Sequence, residues 1–197
     1  MTTALKRGLV VFAAGLAVLV AGLGVEWWET RSGESQLLPV SIGGPFTLVD
    51  QNGKTRADAE FRGKLMLIYF GYANCPDVCP TELQTMSEAL EQLGPGAAEV
   101  QPIFITVDPE RDTPPQLANY AQNFDPRFVM LTGSEAQIDE AARGYRVYHR
   151  RSERADGEIQ VDHSSFIYLM GRDGRYLAHF GPGTKPETIA ASIRKQL

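Results

Sequence analysis

From residue 46 onward, continuous apolar runs alternate with segments whose apolar residues recur every three or four positions. The runs at 65–70 and 100–107 predict strands that are covered on both faces. The segment at 81–93 predicts a helix, which the turn beginning at Gly94 ends. The first part of the folded chain is therefore expected to run strand, helix, strand.

The rest of the chain divides in the same way. The further predicted elements are a hairpin at 46–54, helices at 115–124, 134–145 and 186–197, a strand at 128–131, paired strands at 147–151 and 158–161, and a hairpin with strands at 166–170 and 176–180. Strands that alternate with helices favour an α/β fold with a central mixed sheet flanked by helices. Such sheets usually build their sites at the carboxyl ends of strands, where the run at 65–70 leads into Cys75 and Cys79.

Residues 8–25 contain no charged or strongly polar side chain. As a helix they span roughly 27 Å, close to the roughly 30 Å core of a bilayer. Lys6 and Arg7 precede this run and a tryptophan pair, Trp27 and Trp28, follows it. That arrangement predicts a transmembrane helix with a cytoplasmic N-terminus and with the remaining chain on the other side of the membrane.

The N-terminal pattern sets the expected domain organisation. We expect a cytoplasmic N-terminus and membrane anchor at 1–28, a polar tether at 29–41 and a folded domain at 42–197. A cleaved signal peptide is the alternative to an anchor. With either, the domain is exported to a compartment that permits disulfides.

Composition excludes some classes of protein. The 197 residues carry a formal net charge of −5 and only two cysteines. This charge gives no electrostatic case for nucleic-acid binding. Two cysteines are too few for a small domain held together by several disulfides. The length suits one domain with a real core and one additional segment.

The two cysteines, Cys75 and Cys79, are each followed by a proline. Pro80 suits the first turn of a helix, which would place Cys79 at or just before the helix N-terminus. The helix dipole there favours a thiolate, the form that attacks disulfides and binds metals. A structural disulfide and two ordinary buried thiols are the competing interpretations. A disulfide across so short a loop removes little entropy from the unfolded chain, so it would stabilise the fold weakly.

If the pair binds a metal, further ligands are needed. Soft sulfur ligands select copper(I), zinc or iron–sulfur clusters, but clusters and structural zinc normally require four protein ligands. Two sulfurs and one imidazole suffice for copper. His149 lies in a basic stretch and His179 in a predicted strand, whereas His163 lies in a polar turn. Its neighbour Asp162 could orient the imidazole, which favours His163 as the third ligand.

Three ordered motifs resemble the SCO/SenC family of membrane-anchored copper proteins. They are residues 70–80 around the cysteines, VDPERDTP at 107–114, and VDHS at 161–164 followed by YLM at 168–170. The resemblance extends over roughly residues 45–197, and the predicted anchor agrees with it. Many members have Thr-His before the first cysteine, where this chain has Ala73-Asn74. We expect this departure to alter the hydrogen bonding around Cys75.

The resemblance implies a thioredoxin-like fold and a copper ion, copper(I) or copper(II), bound by Cys75, Cys79 and His163. It implies a role in assembling the CuA centre of cytochrome c oxidase. It also points to Asp108 as a carboxylate just outside the ligands, with a turn-forming role as the alternative. The implied partners are the oxidase subunit that carries CuA and a periplasmic copper donor. The implied location is the bacterial inner membrane, with the domain on the periplasmic side.

These implications favour a copper metallochaperone over an enzyme. The alternative is a thiol–disulfide oxidoreductase that keeps the cysteines of the oxidase subunit reduced, with Cys75 and Cys79 as its redox-active pair. A thiol peroxidase is less consistent with the sequence. Such enzymes usually carry Thr three residues before the reactive cysteine, where this chain has Tyr72 or Pro76.

Overall fold

A computed structural model describes residues 41–153, 157 and 159–197 of the chain. The predicted membrane anchor and the predicted tether up to residue 40 lie outside these residues. Among the described residues, no helix is both long enough and apolar enough to cross a membrane. The segment Ser41–Leu197 forms one compact unit.

A central sheet organises this unit. In chain order the strands are β1 (Thr47–Asp50), β2 (Thr55–Ala57), β3 (Leu65–Gly71), β4 (Val100–Thr106), β5 (Val129–Thr132), β6 (His149–Glu153), β7 (Ile159–His163), β8 (Ile167–Met170) and β9 (Tyr176–Phe180). Seven of them form one sheet in the order β2-β1-β5-β4-β3-β8-β9. β3, β4 and β5 are parallel, whereas β1 and β8 run antiparallel to their neighbours. The predicted α/β fold with a central mixed sheet is therefore confirmed.

Strand β3 lies near the middle of the sheet, between β4 and β8. All seven of its residues are buried, which explains why its sequence is a continuous apolar run rather than an alternating one. The backbone N–H of Val107 donates to the Gly71 carbonyl and extends the pairing of β3 with β4 by one residue. The chain that leaves β3 therefore starts from a fixed point at the carboxyl edge of the sheet.

Among the described residues, four α-helices flank the sheet. They are α1 (Val78–Leu93), α2 (Pro114–Ala121), α3 (Glu135–Gly144) and α4 (Pro186–Arg194). α1 packs against α4, and it buries Leu83, Met86 and Leu90, whose spacing predicted this helix. The hydroxyl of Ser134 caps α3 by accepting a hydrogen bond from the Gln137 N–H.

The start of α1 differs from the prediction. The helix begins at Val78 rather than at residue 81, so Cys79 lies inside its first turn. Proline lacks an N–H, but the first four N–H groups of a helix have no intrahelical partner. Pro80 is consequently tolerated at the third helical position as well as at the first. The sulfur that faces the end of the helix belongs to Cys75.

The hairpin formed by β6 and β7 is a separate two-stranded sheet. The sequence predicted this pairing, but His163 was expected in a polar turn. It is instead the last residue of β7, directly opposite His149 on β6. Residues 164–166 then lead from the hairpin into β8 of the main sheet. The position of His163 therefore depends on how this hairpin is held against the main sheet.

Candidate metal centre

Cys75, Cys79 and His163 meet at the carboxyl end of β3. The loop that follows β3 carries Cys75, the first turn of α1 carries Cys79, and β7 carries His163. One potential ligand atom from each of these side chains lies within 4.8 Å of the other two. The Nε2 atom of His163 is 3.3 Å from the sulfur of Cys79, although 84 residues separate them in the chain.

The two cysteines differ in their surroundings. Cys79 is fully buried, whereas Cys75 is 9% exposed. The backbone N–H of Cys79 donates to the Cys75 sulfur at 3.5 Å, so this sulfur accepts a hydrogen bond from the helix N-terminus. A hydrogen bond from the Cys79 thiol lowers the pKa of Cys75. The same hydrogen bond, reinforced by burial, raises the pKa of Cys79. In the reduced pair, Cys75 is therefore the thiolate and Cys79 holds the proton.

The imidazole of His163 is oriented by its neighbours. Its Nδ1 atom lies 3.1 Å from the Ser164 carbonyl, and an Nδ1–H donated there leaves the Nε2 lone pair directed toward Cys79. The rings of Tyr69 and Tyr72 meet the imidazole edge-on, with centroids 6.1 and 5.8 Å away. An imidazole that carries its proton on Nδ1 is the form that can bind a metal through Nε2.

A cavity of about 630 Å³ opens beside the three side chains. The loop after β3, including Cys75, lines one side, and β7 with His163 lines the other. Cys79 is not among the lining residues. An incoming ligand would therefore reach Cys75 and His163 first, while Cys79 remains covered by protein.

Asp112 also supports the site, although the sequence did not single it out as a site residue. Its Oδ2 atom accepts hydrogen bonds from the Ala73 N–H at 2.9 Å and from the Thr106 hydroxyl at 2.6 Å. It thereby joins the loop that carries Cys75 to the end of β4. A sequence signal did exist, because Asp112 lies in the turn after β4, and parallel neighbouring strands end at the same edge of a sheet.

Asp108, in contrast, makes its contacts away from the cysteines. Its side chain is 1% exposed and pairs with Arg111, and Arg151 of β6 lies 3.9 Å from its other oxygen. Its backbone N–H donates to the Thr106 hydroxyl. These contacts stabilise the turn after β4 and bring it close to Arg151 of the β6–β7 hairpin.

Asp162 is exposed, lines the same cavity as Cys75 and His163, and accepts a hydrogen bond from Gln160, while the His163 Nδ1 atom lies against the Ser164 carbonyl. The other two histidines lie outside the cysteine–histidine group. His149 lies 3.1 Å from Asp139. His179 lies 2.5 Å from the hydroxyl of Tyr176.

This donor set suits copper. It combines a thiolate on Cys75, a second sulfur on Cys79 and an imidazole with a free lone pair, all soft or borderline ligands. Among the described residues, no fourth His, Cys, Asp or Glu joins the group. The arrangement can hold a copper ion with three protein ligands, and it lacks the four that structural zinc normally takes.

Comparisons with known proteins agree with this chemistry. A family profile described as SCO1/SenC matches residues 34–197. The mitochondrial SCO2 homolog of Bos taurus is 41% identical over 194 residues, which cover 92% of this chain and 73% of that protein.

Solved structures have the same fold. ScoI of Bradyrhizobium japonicum, solved with copper bound, is 48% identical, with a TM-score of 0.74 over 80% of this chain and 100% of that chain. BsSco, described as a cytochrome c oxidase assembly protein with a disulfide switch, is 29% identical, with a TM-score of 0.64 over 79% of this chain and 93% of that chain.

Proposed function

Since this chain belongs to the SCO1/SenC family, we propose that it is a copper metallochaperone of thioredoxin-like fold. It binds copper through Cys75, Cys79 and His163 and assists assembly of the CuA centre of cytochrome c oxidase. The observation that carries this proposal is the convergence of the three ligand atoms within 4.8 Å of one another. Support also comes from the copper-bound ScoI relative and from the description of BsSco as an oxidase assembly protein.

The unequal burial of the two cysteine sulfurs suggests how copper enters and leaves the site. Cys75 and His163 line the cavity, so their bonds to copper are the ones that a partner's ligands can replace. Cys79 is fully buried and remains bound until the others have exchanged. When copper binds, Cys79 must also lose its proton, because a thiolate is the ligand form.

Substitution of His163 tests the three-ligand site. We expect His163→Ala to weaken copper(I) affinity by more than about tenfold. Mutating a residue that merely hydrogen-bonds to a metal ligand already costs at least about tenfold, and His163 is itself a ligand in the proposed site. Competition with a chelator of known affinity measures the change. His179→Ala is the matched control, because that imidazole contacts Tyr176 and does not line the cavity. If His163→Ala stays within twofold of the unmodified protein, the three-ligand site is wrong.

A second function, thiol–disulfide exchange, is favoured by the lowered pKa of Cys75. Its thiolate attacks one sulfur of a partner disulfide, forms a mixed disulfide and releases the other partner sulfur as a thiolate. Cys79 then passes its proton to the released partner thiolate and attacks the Cys75 sulfur, which breaks the mixed disulfide and releases the second partner sulfur as a thiolate. The products are a Cys75–Cys79 disulfide and a fully reduced partner, so two electrons pass to the partner. The disulfide switch described for BsSco supports this chemistry.

Replacement of His163 distinguishes the two functions. Disulfide exchange needs only the cysteine pair, so the rate at which the reduced protein reduces a model peptide disulfide should change little in His163→Ala. Copper delivery should fail in the same variant. The affinity of the reduced protein for each oxidation state of copper would establish which state is carried.

We also propose the location and partners of the domain. The uncharged run at 8–25, with Lys6 and Arg7 before it, supports a membrane anchor at 1–28 followed by a tether at 29–41. The domain at 42–197 then lies on the periplasmic side of a bacterial inner membrane. There it would receive copper from a periplasmic donor and meet the oxidase subunit that carries CuA.

A further inference from the structure

The β6–β7 hairpin carries one ligand of the proposed copper site but belongs to neither the main sheet nor the cysteine loop. Within the part of the chain that the structure describes, its strands pair only with each other. Main-chain hydrogen bonding alone therefore does not fix β7 against the loop that carries Cys75. The geometry of His163 relative to the cysteines depends on side-chain contacts between the hairpin and the rest of the domain.

Arg111 makes such contacts in three directions. Its Nη1 atom donates to the Ile159 carbonyl of β7 at 3.2 Å. Its Nε atom donates to the buried carboxylate of Asp108. Its guanidinium carbon lies 5.8 Å from the centre of the Tyr72 ring, the same ring that meets His163 edge-on. One side chain thus contacts the turn after β4, the cysteine loop and the hairpin.

A second arginine, on β6, also connects the hairpin to the turn after β4. Arg151 of β6 pairs with Glu110, and its guanidinium lies 3.9 Å from Asp108. Asp108 is therefore bracketed by an arginine from its own turn and an arginine from the hairpin. Because the Asp108 side chain is only 1% exposed, water screens its pairing with Arg111 weakly, whereas the Arg151–Glu110 pair is solvent-exposed.

Given the copper site proposed above, we infer that Arg111 is a positioning residue that holds the β6–β7 hairpin so that His163 faces Cys79. The planar guanidinium supplies one N–H to a carboxylate and another to a carbonyl in fixed relative directions. A lysine retains the charge but presents a single nitrogen, which cannot reproduce both contacts in this geometry. The prediction therefore concerns the shape of the side chain as well as its charge.

The test measures copper affinity in a two-by-two set of variants. We expect Arg111→Lys and Arg111→Met each to weaken copper(I) binding by about tenfold, which corresponds to losing one hydrogen bond from a charged group. The same substitutions made together with His163→Ala should change affinity by less than about twofold, because the contact acts only through that histidine. Affinity equal to that of the unmodified chain in Arg111→Met would overturn the inference.

Hydrogen exchange of the metal-free protein tests the positioning role of Arg111 independently of copper binding. In the reduced, metal-free protein, hydrogen exchange at the amides of residues 159–163 should become faster in Arg111→Met. Exchange in β3 and β4 should remain unchanged. Arg172→Met is the matched control, because Arg172 also bonds one carboxylate and one backbone carbonyl, those of Glu99 and Gly63. Faster exchange throughout the domain would assign Arg111 to general stability and overturn the positioning role.

Arg111→Met leaves the buried Asp108 carboxylate with only the more distant Arg151, 3.9 Å away, and can destabilise the fold for that reason. The double variant Asp108→Asn/Arg111→Met removes both charges and still removes the contact with Ile159. It should show the same loss of copper affinity with His163 present and little loss without it. If His163→Ala alone leaves affinity unchanged, the proposed three-ligand site fails. If His163→Ala weakens binding while the Arg111 variants do not, only the positioning role fails.

Discussion

At the scale of single residues, Asp112 shows how a side chain can act on the site through the backbone. Its carboxylate accepts from the Ala73 N–H and the Thr106 hydroxyl, so it fixes the loop that carries Cys75. Burial raises the pKa of Asp112. The folded protein therefore holds this proton more tightly than the unfolded chain, and the contribution of Asp112 to stability falls as the pH rises through its folded-state pKa.

Two substitutions of Asp112 distinguish the role of its oxygen as a hydrogen-bond acceptor from the role of its negative charge. Asp112→Ala leaves two buried donors without an acceptor, and we expect the free energy of unfolding to fall by about 2 kcal/mol. Asp112→Asn keeps an oxygen in the same place and should cost less than about 1 kcal/mol. Urea denaturation of the reduced, metal-free protein measures both. Equal losses in the two variants would contradict the role of the acceptor oxygen.

Cys75 should remain reactive at a pH where ordinary thiols do not. A hydrogen bond from Cys79 lowers the pKa of Cys75, so its thiolate persists below the usual thiol pKa of about 8.5. Between about pH 8 and pH 6 its alkylation rate should stay nearly constant, whereas an ordinary thiol slows about tenfold per pH unit. The stabilisation from this shift is present above the unfolded pKa and is lost as the pH falls through the folded pKa.

The control for this pH profile is Cys79→Ala, which removes the donor thiol. In that variant the profile of Cys75 should move back toward the one expected of an ordinary thiol. A profile that is the same with and without Cys79 would show that the helix N-terminus alone accounts for the shift.

The sequence identified residue types better than residue roles. Two cysteines and three histidines are few enough to compare one by one, and the polar surroundings of His163 favoured it correctly as the side chain that meets the cysteines. Asp108 and Asp112 could not be distinguished in the same way. They are four residues apart in one turn, and only the path of that turn decides which one faces the cysteine loop.

At the scale of secondary-structure elements, β3 and α1 pack so closely at Gly71 that no space remains there for a side chain. Gly71 is the last residue of β3, and a Cβ atom built there lies 2.9 Å from both the Cys79 sulfur and a ring carbon of Tyr69. Carbon–sulfur and carbon–carbon contacts this short require a shift of the strand or the helix. The glycine allows α1 to approach the sheet closely enough to place Cys79.

Gly71→Ala should therefore disturb both stability and copper binding. We expect the free energy of unfolding to fall by about 1–3 kcal/mol, as for other overpacked cores, together with a weaker copper(I) affinity. Thermal denaturation and chelator competition measure the two effects. Gly44→Ala is the control, since its Cβ would meet only the Gly144 Cα at an ordinary 3.7 Å. Equal stability of the two variants would contradict the close-packing argument.

The sequence predicted elements reliably where apolar runs were long. β3 and α1 were anticipated as a buried strand and an amphipathic helix because tertiary burial leaves a strong pattern. The first turn of α1 was missed because unpaired N–H groups make proline acceptable at several N-terminal positions. Because of that shift of three residues, Cys75 rather than Cys79 faces the helix N-terminus.

At the scale of the whole molecule, the site joins a loop of the central sheet to a hairpin outside it. The order of strands and helices predicted the central mixed sheet, because such alternation admits few arrangements. The alternating apolar pattern of β7 predicts a strand but not the direction in which the β6–β7 hairpin returns to that sheet. The hairpin is held by the buried side chain of Val161, by the contact of Arg111 with a β7 carbonyl, and by the contacts of Arg151 with Glu110 and of His149 with Asp139. The sequence could therefore nominate His163 but could not show its approach to Cys79.

The predicted anchor determines where this site can act. We expect the full chain to remain in the membrane fraction after alkaline washing, with the mass of the uncleaved protein. A chain that starts at residue 29 behind a cleavable export signal should be released in soluble form. Its copper affinity should be unchanged, because Cys75, Cys79 and His163 all lie in the domain at 42–197.

Oxidase assembly should respond differently from copper affinity. A partner anchored in the same membrane encounters the tethered domain at a higher effective concentration than it encounters a free one. Release of the domain should therefore lower copper loading of the oxidase, measured as copper per oxidase, while chelator competition reports unchanged binding. Recovery of a shortened mature protein from cells expressing the full chain would support a cleaved signal peptide instead. Equal copper loading with and without the anchor would show that delivery does not depend on attachment to the membrane.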